Sequence, residues 1–402
     1  MLKEINGGIT APKGFMAAGV KAGIKKSGKE DIALIYSKTP ASVAAMFTTN
    51  AMAAAPVIVS RQAVKHGTAR AIVVNSGCAN ACTGPQGLAN ARAMAELTAT
   101  VLGVATHEVL VASTGIIGVQ LPMDKIAAGI KQAAAELSET GHEKALQAIM
   151  TTDTFPKSCA YEFMLSGVPV RIAGMAKGAG MIHPNMATML AFVTTDAAVA
   201  APVLKNALSE AVNLSFNMIS VDGDTSTNDM VSVLANGQAG APVIDTVDSE
   251  EYRIFADALK AVCTNLAKQI VRDGEGATKF LEITVTGAET FSQAKQAAMA
   301  VAKSPLVKTA FFGEDPNWGR ILCAVGYSGV PVKSEKTALA IGGISVVRSG
   351  MATSFDEQAL RKVMSARDIA IEIDLGLGPA AATVWTCDFS YEYVKINGEY
   401  HT

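Results

Sequence analysis

KGAGMIHPNMATMLAFVTTDA, residues 177–197, joins a polar, glycine-bearing loop to an apolar run, with Thr188 at the join. The run from Met189 reads as a strand, so Thr188 stands where a loop becomes a sheet. A threonine hydroxyl is a poor nucleophile without a base beside it. Cutting the peptide bond before a threonine frees an α-amine whose pKa lies near neutrality, and that amine can serve as the base. Such a cut calls for a small preceding residue, a strained backbone and donors for the carbonyl oxyanion. Ala187–Thr188 supplies the small residue. On the residues alone, an ordinary structural join remains open as the alternative.

On either side of this join the chain alternates strand and helix patterns. Residues 69–77 and 108–115 read as strands ending in turn residues. Residues 89–103, 123–139, 201–216 and 249–271 read as amphipathic helices, the first closed by a glycine. After Asp273 the texture shifts to strand-like runs at 279–288, 337–347, 368–376 and 381–390, with a short helix at 356–366. Strands grouped with long helices predict an α+β layered architecture rather than strict βαβ repetition. The expected division is a main catalytic region, 1–280, and a smaller C-terminal α+β domain, 281–402.

Length and charge exclude several classes. At 402 residues the chain exceeds one ordinary core. A net charge of −2 without a long basic run lacks the footprint of a nucleic-acid or membrane-surface protein. The first residues carry Lys3 and Glu4 and no apolar stretch of signal-peptide length, and no run approaches the ~20 residues of a membrane span, so a cytoplasmic protein is expected. Six cysteines are sparse for a disulfide scaffold, and Cys78 and Cys82 are read as small buried hydrophobes rather than reactive thiols. The five histidines are scattered, and no metal site is expected.

Polar, glycine-rich segments recur at 75–84, 113–118, 177–180, 220–229, 272–279 and 313–320, and all are read as strand-end loops, where sites are normally built. KGAG at 177–180 is not a phosphate loop, because its lysine precedes the glycines and a strand follows. DGDTSTND at 222–229 lacks the order of a calcium loop and reads as a hydrogen-bonded turn. His183 is read as part of a rigid turn with Pro184 rather than as a base. Asp315 and Arg320 are read as structural or interfacial.

Residues 175–197 resemble the processing site of the ornithine acetyltransferase family, the glutamate N-acetyltransferases of the cyclic arginine pathway. GGITAPKGF, NSGCANACTG, STGIIG, TTDTFPK, SVDGDTSTNDM, RDGEGATK, GEDPNWGRI and the final NGEYHT match as well, in order and across nearly the whole chain. The resemblance implies self-cleavage between Ala187 and Thr188, giving an α chain, 1–187, and a β chain, 188–402. It implies Thr188 as nucleophile, and Thr114 and Gly115 as the oxyanion hole. It implies Thr154, Lys177, Thr188, Glu275, Asn397 and Thr402 as substrate-binding residues.

The same resemblance implies a layered fold shared with self-processing aminopeptidases related to D-aminopeptidase, and an α2β2 assembly. The implied reaction moves the acetyl group of N2-acetyl-L-ornithine to L-glutamate through acetyl-Thr188, with no cofactor, and with acetyl-CoA as a possible further donor. Two alternatives stand beside it: a self-processing aminopeptidase or amidase of the same fold, and a non-catalytic oligomeric binding protein.

Overall fold

The computed structural model describes residues 2–183 and 189–399. Its first strands are β1 (Lys3–Glu4), β2 (Phe15–Val20) and the 16-residue β3 (Ile32–Phe47). Helix α1 (Ala55–Ala63) leads to β4 (Thr68–Cys78), α2 (Gly84–Leu102) and β5 (Val109–Ile116). Helices α3 (Met123–Ala135) and α4 (His142–Ile149) precede the antiparallel pair β6 (Lys157–Leu165) and β7 (Val168–Lys177). Then come β8 (Leu190–Thr195), α5 (Ala201–Asn213), β9 (Ile219–Ser220), β10 (Met230–Ala235) and α6 (Glu250–Arg272).

The final stretch opens with β11 (Phe280–Ala288) and the helices α7 (Phe291–Lys303), α8 (Pro305–Phe312) and α9 (Trp318–Gly326). Strands β12 (Ala338–Ile341), β13 (Ile344–Arg348) and β14 (Met351–Ala352) follow. Helix α10 (Glu357–Ser365), strands β15 (Asp368–Asp374) and β16 (Ala380–Cys387), and helix α11 (Tyr391–Glu399) complete the order.

Two sheets result. The first runs β1-β6-β7-β8-β10-β3-β4-β5, with β2 paired to β3, and the second runs β14-β13-β12-β15-β11-β16-β9. The central strands β8 and β10 of the first sheet are buried on both faces, so they read as nearly continuous apolar runs whose side chains sort by parity. In β3, Ile32 and Leu34 enter the core beneath α2 and α3, while Ala33 and Ile35 join the core around α4. In β8, Leu190 and Phe192 face the α4 side, and Ala191 and Val193 face α5 and α6. Helix α6 touches β6 and β7 of the first sheet and β9 and β16 of the second, and one core continues from Ala44 to Cys387. The architecture is a layered α/β sandwich. Among the described residues, no helix is long and apolar enough to cross a membrane.

Three expectations need correction. Residues 313–320 join α8 to α9 rather than ending a strand, and residues 272–279 follow α6 before β11 begins. Three consecutive helices, α7 to α9, fill 291–326, between the strand-like runs at 279–288 and 337–347, where no helix was expected. Cys82 is exposed, unlike the buried Cys78, and stands at φ 55 in the turn ahead of α2.

Candidate active site

The site gathers at one end of the first sheet. Strand register sets its floor: Lys177 ends β7 opposite Leu190 of β8, and Leu190 stands opposite Met230 of β10. On the parallel pair β4–β5, Ser76 lies against Thr114 and Gly77 against Gly115. The ends of β5 and β7 and the starts of β8 and β10 therefore converge, although their residues are far apart in sequence.

Gly115 has φ 125, and a Cβ there would meet the carbonyl carbon of Gly77 at 2.4 Å. Only glycine suits this close approach of two strand ends. The neighbouring strand ends are braced by buried amides. Asn228 donates to the carbonyls of Ala79 and Ser113, at 2.7 and 2.8 Å. Asn75 donates to the Cys78 carbonyl at 2.8 Å. Such bracing holds the Thr114 hydroxyl and the Gly115 backbone in fixed places, which is what a preorganised oxyanion site requires.

Lys177 is buried and donates to the Thr114 hydroxyl at 3.4 Å. Burial pushes its ammonium pKa down, and the Asp153 carboxylate works against that shift. Asp153 is itself held by Lys157 at 2.7 Å and by the Gly178 N–H at 2.7 Å. Burial pushes the Asp153 carboxyl up, yet Lys177, Lys157 and that N–H outweigh it and leave the pKa at about 2. The lysine thus projects a cation into a desolvated site whose nearby carboxylate is already engaged.

A cavity of about 280 Å³ opens onto Thr114, Gly115, Lys177, Asn228, Glu275 and Asn397. Asn397 of α11 donates to Glu275 Oε2 at 2.9 Å, and the Glu275 N–H donates to the Ala179 carbonyl at 2.9 Å. Gly180 lies under that carboxylate, where a Cβ would stand 2.3 Å from Oε2. The cavity thus sets a cation and a carboxylate among neutral donors. A larger cleft of about 410 Å³ shares Gly115, Thr151 and Thr152 with it and is walled by Ile24, Lys25 and Cys78.

The structure brings together Thr114, Gly115, Lys177, Glu275 and Asn397. Ala187, Thr188 and Thr402 lie outside the described residues. Thr154 is placed elsewhere: its N–H and hydroxyl donate to the Asp273 carboxylate, and Thr151 and Thr152 line the cavity in its stead. The loop turns at Asp153, whose carboxylate is drawn to Lys157, and this sends Thr154 toward Asp273.

His183 is half-buried, with Nδ1 3.4 Å from Ser220 Oγ and Nε2 3.5 Å from Lys303 Nζ. Burial, then Lys303 and Lys295, push its pKa down to about 4. The 222–229 segment is a hydrogen-bonded turn in which Asp222 accepts from the N–H groups of Met181, Ile182 and Asp224. Asp315 accepts from the Asn317 side chain, which caps α9, and Arg320 donates to the Leu306 carbonyl. Sequence reasoning missed Asn228 and Asp229 as site residues. Both stand in the quoted STND, but only the arrival of β8 beside β10 gives them a role.

The ArgJ family model matches residues 16–402. The chain is 55% identical over 403 residues to the arginine biosynthesis bifunctional protein ArgJ of Symbiobacterium thermophilum, covering 100% of both chains. It is 52% identical over 391 residues to the protein of that name from Geobacter sulfurreducens, covering 97% of this chain and 99% of the relative. The crystal structure of the arginine biosynthesis bifunctional protein ArgJ of Bacillus halodurans is similar at 45% identity and a TM-score of 0.51, over 52% of this chain and 98% of that one. With a match of that span and relatives of that likeness along its whole length, the chain belongs to the ArgJ family.

Proposed function

We propose that this chain is an acetyltransferase of arginine biosynthesis that cuts itself before Thr188 and moves acetyl from N2-acetyl-L-ornithine to L-glutamate. The observation that carries the reading is the cavity itself: Lys177 against the Thr114 hydroxyl on one wall, Glu275 with Asn397 on the other. Acetylornithine carries one carboxylate and one side-chain ammonium, and the cavity offers one partner for each.

In the precursor, the Thr188 hydroxyl attacks the Ala187 carbonyl, and water opens the resulting ester, leaving chains 1–187 and 188–402. In the mature enzyme the freed α-amine takes the hydroxyl proton while the oxygen attacks the acetyl carbonyl of acetylornithine. The tetrahedral oxyanion is held by the Thr114 hydroxyl and the Gly115 N–H. Ornithine leaves with a proton, and glutamate then attacks acetyl-Thr188 at the same carbonyl. Two substrates using one site in turn give ping-pong kinetics.

Lys177 pairs with the substrate carboxylate and Glu275 with the ornithine ammonium. Thr402 and Thr154 remain on the proposed substrate-contact list only through the family likeness. The neighbouring cleft, with Lys25 beside apolar walls, supports acetyl-CoA as a second donor. No cofactor is needed for these steps. The proposed working form is an α2β2 heterotetramer in the cytoplasm.

Intact mass of the purified wild type and of Thr188→Ala, with transfer assays for each donor, tests the reading. The wild type is expected as two chains, and Thr188→Ala as one inactive polypeptide. A wild type that stays a single 402-residue chain overturns the mechanism. Acetate release that outruns N-acetylglutamate formation would instead favour the aminopeptidase or amidase alternative.

A further inference from the structure

Lys157 opens β6, and its side chain, like those of Asp153 and Asp273, is buried. Its ammonium pairs with Asp153 Oδ1 at 2.7 Å and with Asp273 Oδ2, so one lysine joins carboxylates on two loops. Asp153 also accepts from the N–H groups of Thr151 and Gly178, at 2.9 and 2.7 Å. The segment that lines the cavity and the loop that follows Lys177 are thereby tied to the same charge. Asp273 accepts from the Thr154 N–H at 2.9 Å and stands two residues ahead of Glu275.

Two cations and two anions share this dry space: Lys157 and Lys177, Asp153 and Asp273. All but Lys177 are joined in direct ion pairs. Among the described residues Lys177 makes none, and its hydrogen bond goes to the Thr114 hydroxyl. After burial, the attraction of Asp153 and the repulsion of Lys157 act on its charge most strongly. Although burial pushes the Asp153 carboxyl up, Lys177 and Lys157 together hold it at about 2, so an ionised carboxylate draws both lysines. Where water is excluded, a carboxylate that loses one cationic partner takes the other, because an unpaired buried charge is costly.

We propose that Lys157 is a positioning residue: by occupying Asp153 and repelling Lys177, it keeps the Lys177 ammonium free for the carboxylate of the substrate. This rests on the proposed pairing of Lys177 with that carboxylate. Lys157 itself touches no substrate. Its effect passes through the competition of two lysines for one carboxylate.

The test separates charge from tethering. Lys157→Gln keeps a donor for both carboxylates but loses the cation, so Lys177 is expected to turn to Asp153. Calorimetry measures the affinities of L-ornithine and of putrescine, which has the side-chain ammonium but no carboxylate. The proteins are wild type, Lys157→Gln and Lys157→Gln/Asp153→Asn, each brought to the same chain state as read by intact mass. In Lys157→Gln the affinity for L-ornithine is expected to fall by roughly 10- to 10²-fold, the scale of a lost hydrogen bond between charged groups. Putrescine is expected to bind as it does to the wild type. Adding Asp153→Asn removes the competing carboxylate and rebalances the four groups, so the affinity for L-ornithine is expected to recover.

An unchanged L-ornithine affinity in Lys157→Gln, an equal loss for both ligands, or a double variant weaker than the single one overturns the proposal. Failure of both variants to fold also overturns it, since a purely structural ion cluster then accounts for the contacts. A wild type that binds L-ornithine yet transfers no acetyl removes the proposed function instead, and the comparison of the two ligands still decides the role of Lys157.

Discussion

Lys177 at the end of β7 donates to the hydroxyl of Thr114 on β5, 3.4 Å away across 63 residues of sequence. A buried ammonium beside a hydroxyl turns that hydroxyl's oxygen toward the lysine and leaves its hydrogen free to point elsewhere. The same contact places positive charge next to the position where an oxyanion would form.

Thr114→Val keeps the shape of this buried side chain but removes its donor. Turnover in the acetyl-transfer assay is expected to fall by ~10²–10³ with little change in KM, the usual loss for one oxyanion donor. Thr114→Ser, which keeps the hydroxyl, should recover most of the rate. An undiminished rate for Thr114→Val would remove Thr114 from the oxyanion site.

Glu275 and Asn397 share a 2.9 Å hydrogen bond at the cavity wall. Glu275→Gln is expected to raise KM for acetylornithine more than KM for glutamate, because only the first carries the side-chain ammonium. Asn397→Ala should act in the same direction and more weakly. Steady-state kinetics with each substrate varied in turn check this, and equal effects on both would sink the assignment.

Two glycines separate fold from function. Gly115→Ala puts a methyl 2.4 Å from backbone at φ 125, and backbone cannot give way cheaply. Loss of folded protein, or a fall in stability of several kcal/mol on the scale of strained core substitutions, is expected in thermal melts. Gly180→Ala meets the Glu275 carboxylate instead, the end of a side chain. Its melt should stay close to wild type while KM for acetylornithine rises as in Glu275→Gln.

Asp153 carries the acid limb of stability. Its folded pKa, about 2, lies below the ordinary 3.8. The group binds more protons unfolded than folded between those values, so its stabilisation is present above the unfolded pKa and is lost as pH falls through the folded one. That stabilisation is on the order of 2 kcal/mol. Asp153→Asn should therefore be less stable at neutral pH and lose less on acidification from about pH 4 to pH 2, as read by chemical denaturation at each pH.

Much of the architecture was legible because burial imprints periodicity. Strands β4, β5 and β8 are buried on both faces and read as continuous apolar runs, and α2 closes at Gly103 in the left-handed region, as expected of a glycine there. Strand β3 was not legible. Lys38 and Pro40 interrupt its pattern, and the structure absorbs them in an irregularity of the β3–β4 register between Tyr36 and Ala41. Helices α7 to α9 escaped notice because their alanine-rich and short apolar segments resemble buried strands when no partner is in view.

The kinds of group in the site are legible along the chain: a lysine before glycines, a carboxylate in RDGEGATK, an STG at a strand end, and a threonine after a small residue. Their wording was specific enough to imply chemistry, since these side chains are few and their order is distinctive. Which of them meet depends on how distant strands pair. The register of Lys177 opposite Leu190, and of Leu190 opposite Met230, is set by hydrogen bonds between strands that no local pattern encodes. That register brings Asp229 to Met189 N–H, and the ion pairing of Asp153 turns Thr154 away from the cavity. Pairing between distant strands, rather than local preference, selects the members of the site.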